Sequence, residues 1–247
     1  MNVVFLGPTM PRDEAAGLCD AVFLPPARRG DLLAAVETYQ PTTLALVDGY
    51  FEQVPAVWHK EILWALAQGI QVAGAASMGA LRAAELQAFG MTGIGRVFEA
   101  YASGRFPPFP EPFEDDDEVA VVHGPAEMGY PASDAMVDIR ATLARAAEEA
   151  VIDSEAAIAI AAVAKALFYK QRSYAAALER ARTAAIDPLA IARLEAWLPT
   201  GRVAQKRLDA QALLGQLAAG GLAGTLPAFR FERTLHWQQA LGERGGR

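Results

Sequence analysis

Cysteine is nearly missing from this chain. Cys19 is the only one among 247 residues, so no internal disulfide can form and stability has to come from a packed core. A lone thiol fits a reducing compartment, and a cytoplasmic protein is expected. Basic charge is also short: 22 Lys and Arg against 29 Asp and Glu leave a net charge of -7, which argues against a general nucleic-acid binder. No cationic segment followed by an apolar run opens the sequence. The apolar stretch from Ala156 to Phe168 is too short to cross a bilayer and carries Lys165, so no membrane span is expected. A GxxxxGK[ST] loop and a GxGxxG fingerprint are both absent, which removes the two commonest nucleotide-binding motifs. There is no internal repeat and no heptad seam. Charged residues make up only 21% against 53% hydrophobic, a globular balance and not that of a disordered adaptor.

What is present centres on Gly69 to Gly90, GIQVAGAASMGALRAAELQAFG. Gly69 stops one helix, Ile70 to Ala75 reads as a buried strand, and a corner of small residues around Ser77 opens into a second helix, from about Met78 to Phe89. In a parallel sheet such a corner lies at the carboxyl edge, where helix N-termini converge and ligands bind. Gly74, Ala75, Ala76 and Gly79 keep bulk away from Ser77, so the backbone can bend sharply there.

Further strands are expected at Asn2 to Leu6, Ala21 to Leu24, Thr42 to Val47 and Val119 to Val122. Asp31 is placed to cap one helix, and Pro55 to open another that runs through His59, Ile62, Leu63 and Leu66. Arg28 and Arg29 read as solvated loop charge, with a small anion site as the alternative. Met91 to Phe113 is too rich in Gly and Pro for one regular element and reads as a short helix near Val97 to Ser103 followed by a long surface loop. The acidic run Glu114 to Glu118 reads as a solvated turn; the sharper alternative, a divalent-cation site, is not expected to hold a catalytic metal.

From Pro131 onward the sequence is rich in Ala, Leu, Arg and Glu at helical spacing, with Ser133 or Asp134 as a cap and breaks at Pro188, Pro199 and Gly220-Gly221. The fold class is therefore α/β: a mostly parallel sheet with flanking helices over residues 1–130, followed by an all-α domain over residues 131–247. The helical part is expected to dock or cover, with Tyr169, Lys170, Arg172 and Tyr174 able to reach a carboxylate.

Four polar residues fall on the predicted sheet edge: Asp48, His59, Ser77 and His123. A serine becomes nucleophilic when a base takes its proton, and a histidine base works best when a carboxylate fixes its tautomer. Ser77, His59 and Asp48 fit those roles, with His59 facing inward beside Ile62 and Leu66. Met78 and Gly79 could supply N–H groups to an oxyanion, Arg82 and Lys60 could offset negative charge, and His123 is a substitute base. Each also has a plain reading: Ser77 as a helix cap, His59 as a core histidine, Asp48 as a turn residue. GAASMG is not the G-x-S-x-G elbow of α/β-hydrolases.

The stretch VDGYFEQVPAVWHKEILWALAQGIQVAGAASMGALRAAELQAFGMTGIGRVFEAY, followed by DDDEVAVVHGP, resembles the core domain of the TfuA-like family over about Val47 to Pro125. FYKQRSY (Phe168 to Tyr174) and QKRLDA (Gln205 to Ala210) are weaker echoes. The resemblance implies a partner of YcaO enzymes, which activate peptide amides with ATP in installing backbone thioamides. It also implies release of sulfide by hydrolysis of the C-terminal thiocarboxylate of a small ubiquitin-like sulfur carrier, with no cofactor. A scaffold or activator that docks on YcaO without catalysis is the competing reading, and a phosphate-ligand site at the Ser77 corner ranks last.

Overall fold

The computed structural model describes residues 1–52, 54–124, 133–222 and 227–239. Five strands form one all-parallel sheet: β1 (Asn2–Phe5), β2 (Val22–Leu24), β3 (Thr43–Leu46), β4 (Gln71–Ala75) and β5 (Thr92–Ile94), in the order β2-β1-β3-β4-β5. Val3 pairs with both Val22 and Leu44, and Ala45 with Ala73. The four leading strands are short apolar runs with β-branched or aromatic members, which suits a sheet covered on both faces. The fifth was not expected, and Val119 to Val122, expected as a strand, forms none.

Alternation along the strands sorts the core into two layers. Val3, Phe5, Leu44, Leu46 and Val72 pack against α2 (Asp31–Tyr39), α3 (His59–Ala67) and α4 (Met78–Leu86). Val4, Leu6, Ala45, Val47, Ala73 and Ala75 face the other way, against α1 (Arg12–Leu18) and the distant α10 (Gln205–Ala218). The alanines on that face let α10 lie close, so a helix from the far end of the chain closes the sheet.

Between them, α5 (Arg96–Ser103), α6 (Met136–Glu148), α7 (Ser154–Lys165), α8 (Tyr174–Thr183) and α9 (Pro188–Gly201) build a separate helical core. The stretch after α5 is no surface loop: Phe106, Phe109 and Phe113 are buried in that core. Pro188 does not merely divide helices, since it opens α9 while Asp187 accepts from Leu189 N–H. Pro55 lies outside α3, because its carbonyl accepts from Arg29 N–H and the chain stays extended through Trp58. Ser133 and Asp134 do not cap α6; they accept from Val122 N–H and Tyr174 N–H instead. Pro125, Pro131 and the tail from Gly242 lie outside the described residues.

The corner between β4 and α4 is tight. Ser77 N–H donates to the Ala75 carbonyl at 2.7 Å across Ala76, whose φ is 67°, a γ-turn of the strained hand. A Cβ on Gly79 would stand 1.7 Å from the Leu46 carbonyl oxygen, and one on Gly74 2.0 Å from that of Gly79. Helix and strands touch there backbone to backbone. Gly79→Ala should therefore destabilise the fold by about 3 kcal/mol or more, beyond ordinary overpacking. Gly215→Ala, inside α10 with open space around its Cβ, should stabilise it by about 0.5–1 kcal/mol. Urea unfolding of the two variants checks both signs.

Candidate active site

In the order β2-β1-β3-β4-β5 the chain leaves β1 in one direction and later returns to its other side, so the crevice outside the ends of β1 and β3 is where ligands bind in such sheets. A cavity of about 150 Å³ opens there. Pro8 after β1, Asp48 to Glu52 after β3 and Ser77 after β4 form its floor. Val119 to His123 form one wall, and Tyr169 and Lys170, from the 3-10 turn before α8, form another. Asp48, Ser77 and His123 thus share one cavity.

Ser77 is 3% exposed, and its hydroxyl makes no capping hydrogen bond although it stands at the N-terminus of α4. Asp48 is buried and accepts from Gly7 N–H (2.8 Å), Thr9 N–H (3.1 Å) and the Thr9 hydroxyl (2.6 Å). It ties the β1 loop to the cavity floor and does not orient His59. The Gly79 N–H is spent on the Val47 carbonyl. The Met78 N–H, at the first helical position, has no intrahelical acceptor.

His59 is where the sequence expectation fails. Its side chain is 47% exposed, and Nε2 lies 2.7 Å from Glu85 Oε2, which also accepts from Arg82. Burial pushes the Glu85 carboxyl up, and the bonds from His59 and Arg82 outweigh it, leaving a lowered value. Arg82 also donates to the Val57 carbonyl, and Lys60 stands over the Phe231 ring. None of the three lines the cavity.

His123 does line it, with its ring centroid 6.0 Å from that of Tyr50. His123 Nδ1 lies 3.1 Å from the Gly124 carbonyl oxygen, which can only accept. Nδ1 therefore carries a proton, and in the neutral ring the basic lone pair belongs to Nε2. Lys170 pairs with Glu52 at 2.6 Å at the cavity mouth.

The acidic run is exposed over Glu114 to Asp116 but turns inward at its end. Glu118 is fully buried and takes two bonds from Arg140, at 3.0 Å each, and an ion pair from Lys165. Asp117 pairs with Arg172 and Lys165. Arg172 and Tyr174 are thus buried in the structure and do not project as docking groups. Among the described residues no cluster of His, Cys, Asp or Glu is placed to hold a metal, and no helix is long and apolar enough to cross a membrane.

A family model described as TfuA-like protein matches residues 48–173, just over half of the chain. The chain belongs to the TfuA-like family. No curated protein matches it. The matched span of this TfuA-like chain takes in Asp48, Ser77, His123, Tyr169 and Lys170, and stops short of α10. Spacing could not separate His59 from His123: both fall on the predicted sheet edge, and only the packing shows that His123 lines the cavity and His59 does not.

Two stability predictions follow from the wall's ion pairs. Arg140→Met strips Glu118 of its bidentate partner and should cost about 3 kcal/mol in denaturant unfolding. Burial pushes the Asp117 carboxyl up, but the bonds from Lys165 and Arg172 outweigh it and lower the value. Its contribution is therefore present above the unfolded value near 4 and is lost as pH falls below that. Asp117→Asn should show a shallower loss of stability between about pH 4 and 2 than the parent.

Proposed function

We propose that this TfuA-like protein hydrolyses the C-terminal thiocarboxylate of a small ubiquitin-like sulfur carrier, releasing sulfide for a YcaO enzyme that installs peptide thioamides. The observation that carries the hydrolase reading is Ser77: a hydroxyl at a strained strand-to-helix corner, not spent on capping, in one cavity with His123. A scaffold would need Ser77 only as a cap, and that bond is missing. The small cavity suits a narrow chain end and not a folded domain.

Ser77 Oγ attacks the thioacyl carbon while His123 Nε2 takes its proton. Negative charge on the tetrahedral intermediate faces the Met78 N–H and the N-terminus of α4. The C–S bond breaks, the sulfur leaves with the proton from His123, and an acyl-serine remains. Water, deprotonated by the same imidazole, then splits the ester to a carboxylate and restores Ser77. The net change converts thiocarboxylate and water into carboxylate and hydrogen sulfide.

Ser77→Ala and His123→Gln should each lower sulfide release from a thiocarboxylated carrier by about 10³-fold or more with the fold retained, whereas His59→Ala should stay within about threefold. Sulfide detection with intact mass of the carrier measures all three. Full activity in Ser77→Ala would sink the nucleophile.

A further inference from the structure

Among the described residues, three side chains of fixed charge line the cavity that holds Ser77 and His123: Asp48, Glu52 and Lys170. Asp48 takes its bonds from Gly7 and Thr9, neither of them cationic, so its charge is hydrogen-bonded but not neutralised by an ion pair. Lys170 is then the one cation of the described lining, and Glu52 occupies it at 2.6 Å. The contact with Lys170 holds the Glu52 carboxyl below its usual range, so both partners are charged at neutral pH.

An anionic chain end that enters this cavity meets two carboxylates and an ammonium that is already taken. It can be held only by exchange. The side chains of Glu52 and Lys170 are 51% and 39% exposed, and an exposed ion pair adds little net, because water receives both charges almost as well. Lys170 Nζ also stands 5.5 Å and 5.4 Å from the ring centroids of Phe168 and Tyr169, so aromatic faces keep the ammonium at the mouth when the glutamate turns away. Glu52 is moreover a carboxylate. The group that rests on Lys170 has the shape and charge of the end that would replace it.

We propose that Lys170 selects the anionic end of the ligand: a carboxylate or thiocarboxylate terminus displaces Glu52 from the ammonium at the cavity mouth, whereas a neutral amide or ester end does not. Glu52 is the built-in competitor that sets this threshold. The inference rests on the hydrolase reading for the identity of the ligand, a thiocarboxylated chain end, and adds the residue that recognises its charge.

Binding tests it without chemistry, since the hydrolysed product also ends in a carboxylate. The probes are a short fluorescent peptide ending in glycine, narrow enough for a small cavity, with a free C-terminal carboxylate, and the same peptide as its C-terminal amide. Anisotropy titration with the full chain should show the carboxylate bound about tenfold more tightly than the amide. Lys170→Met should erase that preference and Lys170→Arg keep it, while Glu52→Gln should tighten the carboxylate about threefold and leave the amide unchanged. All three variants change exposed side chains, so Tm should stay at the parent value. The proposal is overturned if the parent binds both probes alike or neither, if Lys170→Met keeps the preference, or if Glu52→Gln weakens the carboxylate, which would make Glu52 a support for Lys170 instead of its competitor. A parent that prefers the carboxylate yet releases no sulfide sinks the hydrolase reading alone, and one that releases sulfide without that preference sinks this inference alone.

Discussion

The backbone contact among Leu46, Gly74 and Gly79 governs the rest of the site. With no Cβ on either glycine, α4 enters against the ends of β3 and β4 closely enough for Gly79 N–H to bond the Val47 carbonyl. That closeness leaves no room for a relaxed turn, so Ala76 takes a positive φ and Ser77 is set at the sheet edge. The strain is held by the packing around it, because Ala75, Ala76 and Met78 are all buried. A larger residue at either glycine would push the helix away, relax the turn and move the hydroxyl.

Asp48 does for the neighbouring strand end what the glycines do for the helix. Three donors from Gly7 and Thr9 converge on one carboxylate, so the loop after β1 and the loop after β3 are fixed to each other across the point where the sheet reverses its order. The α/β half thus supplies a rigid floor with the serine, and the helical region supplies His123's wall, Tyr169 and Lys170.

Much of this was legible because local patterns and tertiary demands agreed. β1 to β3 are apolar runs ended by Gly, Pro or Asp-Gly, and the strand-corner-helix unit at Ser77 combines a run, a set of small residues and a helical period in 22 residues. β5 escaped notice since Thr92–Ile94 is short and Gly-flanked, and it pairs only because Gly93 and Gly95 leave room for Phe98 and Asp209. His59 misled for a different reason. Face periodicity assumes that something covers the face, whereas at the first residue of α3 the imidazole is half exposed and turns out to Glu85. The exposed and buried faces of one helix cannot be assigned at its end from spacing alone.

Val119 to Val122 shows why an apolar run can refuse to be a strand. A cavity wall has no sheet neighbour, so its backbone groups must be satisfied by something other than a ladder. Tyr101 donates to the Asp115 carbonyl, Arg172 to that of Asp117, Lys206 to that of Val119, and Ser133 accepts from Val122 N–H, each at 2.8–3.0 Å. Buried charges that look extravagant in a helical core thereby act as backbone partners for an irregular segment. Replacing them by apolar residues would improve the helices and orphan the wall, since an unpaired buried carbonyl or N–H costs about 1–3 kcal/mol. The acidic run just before it follows from the same need. Arginine and lysine brought in to hold the backbone of this segment require carboxylates beside them, and Asp117 and Glu118 are the ones the chain itself places within reach.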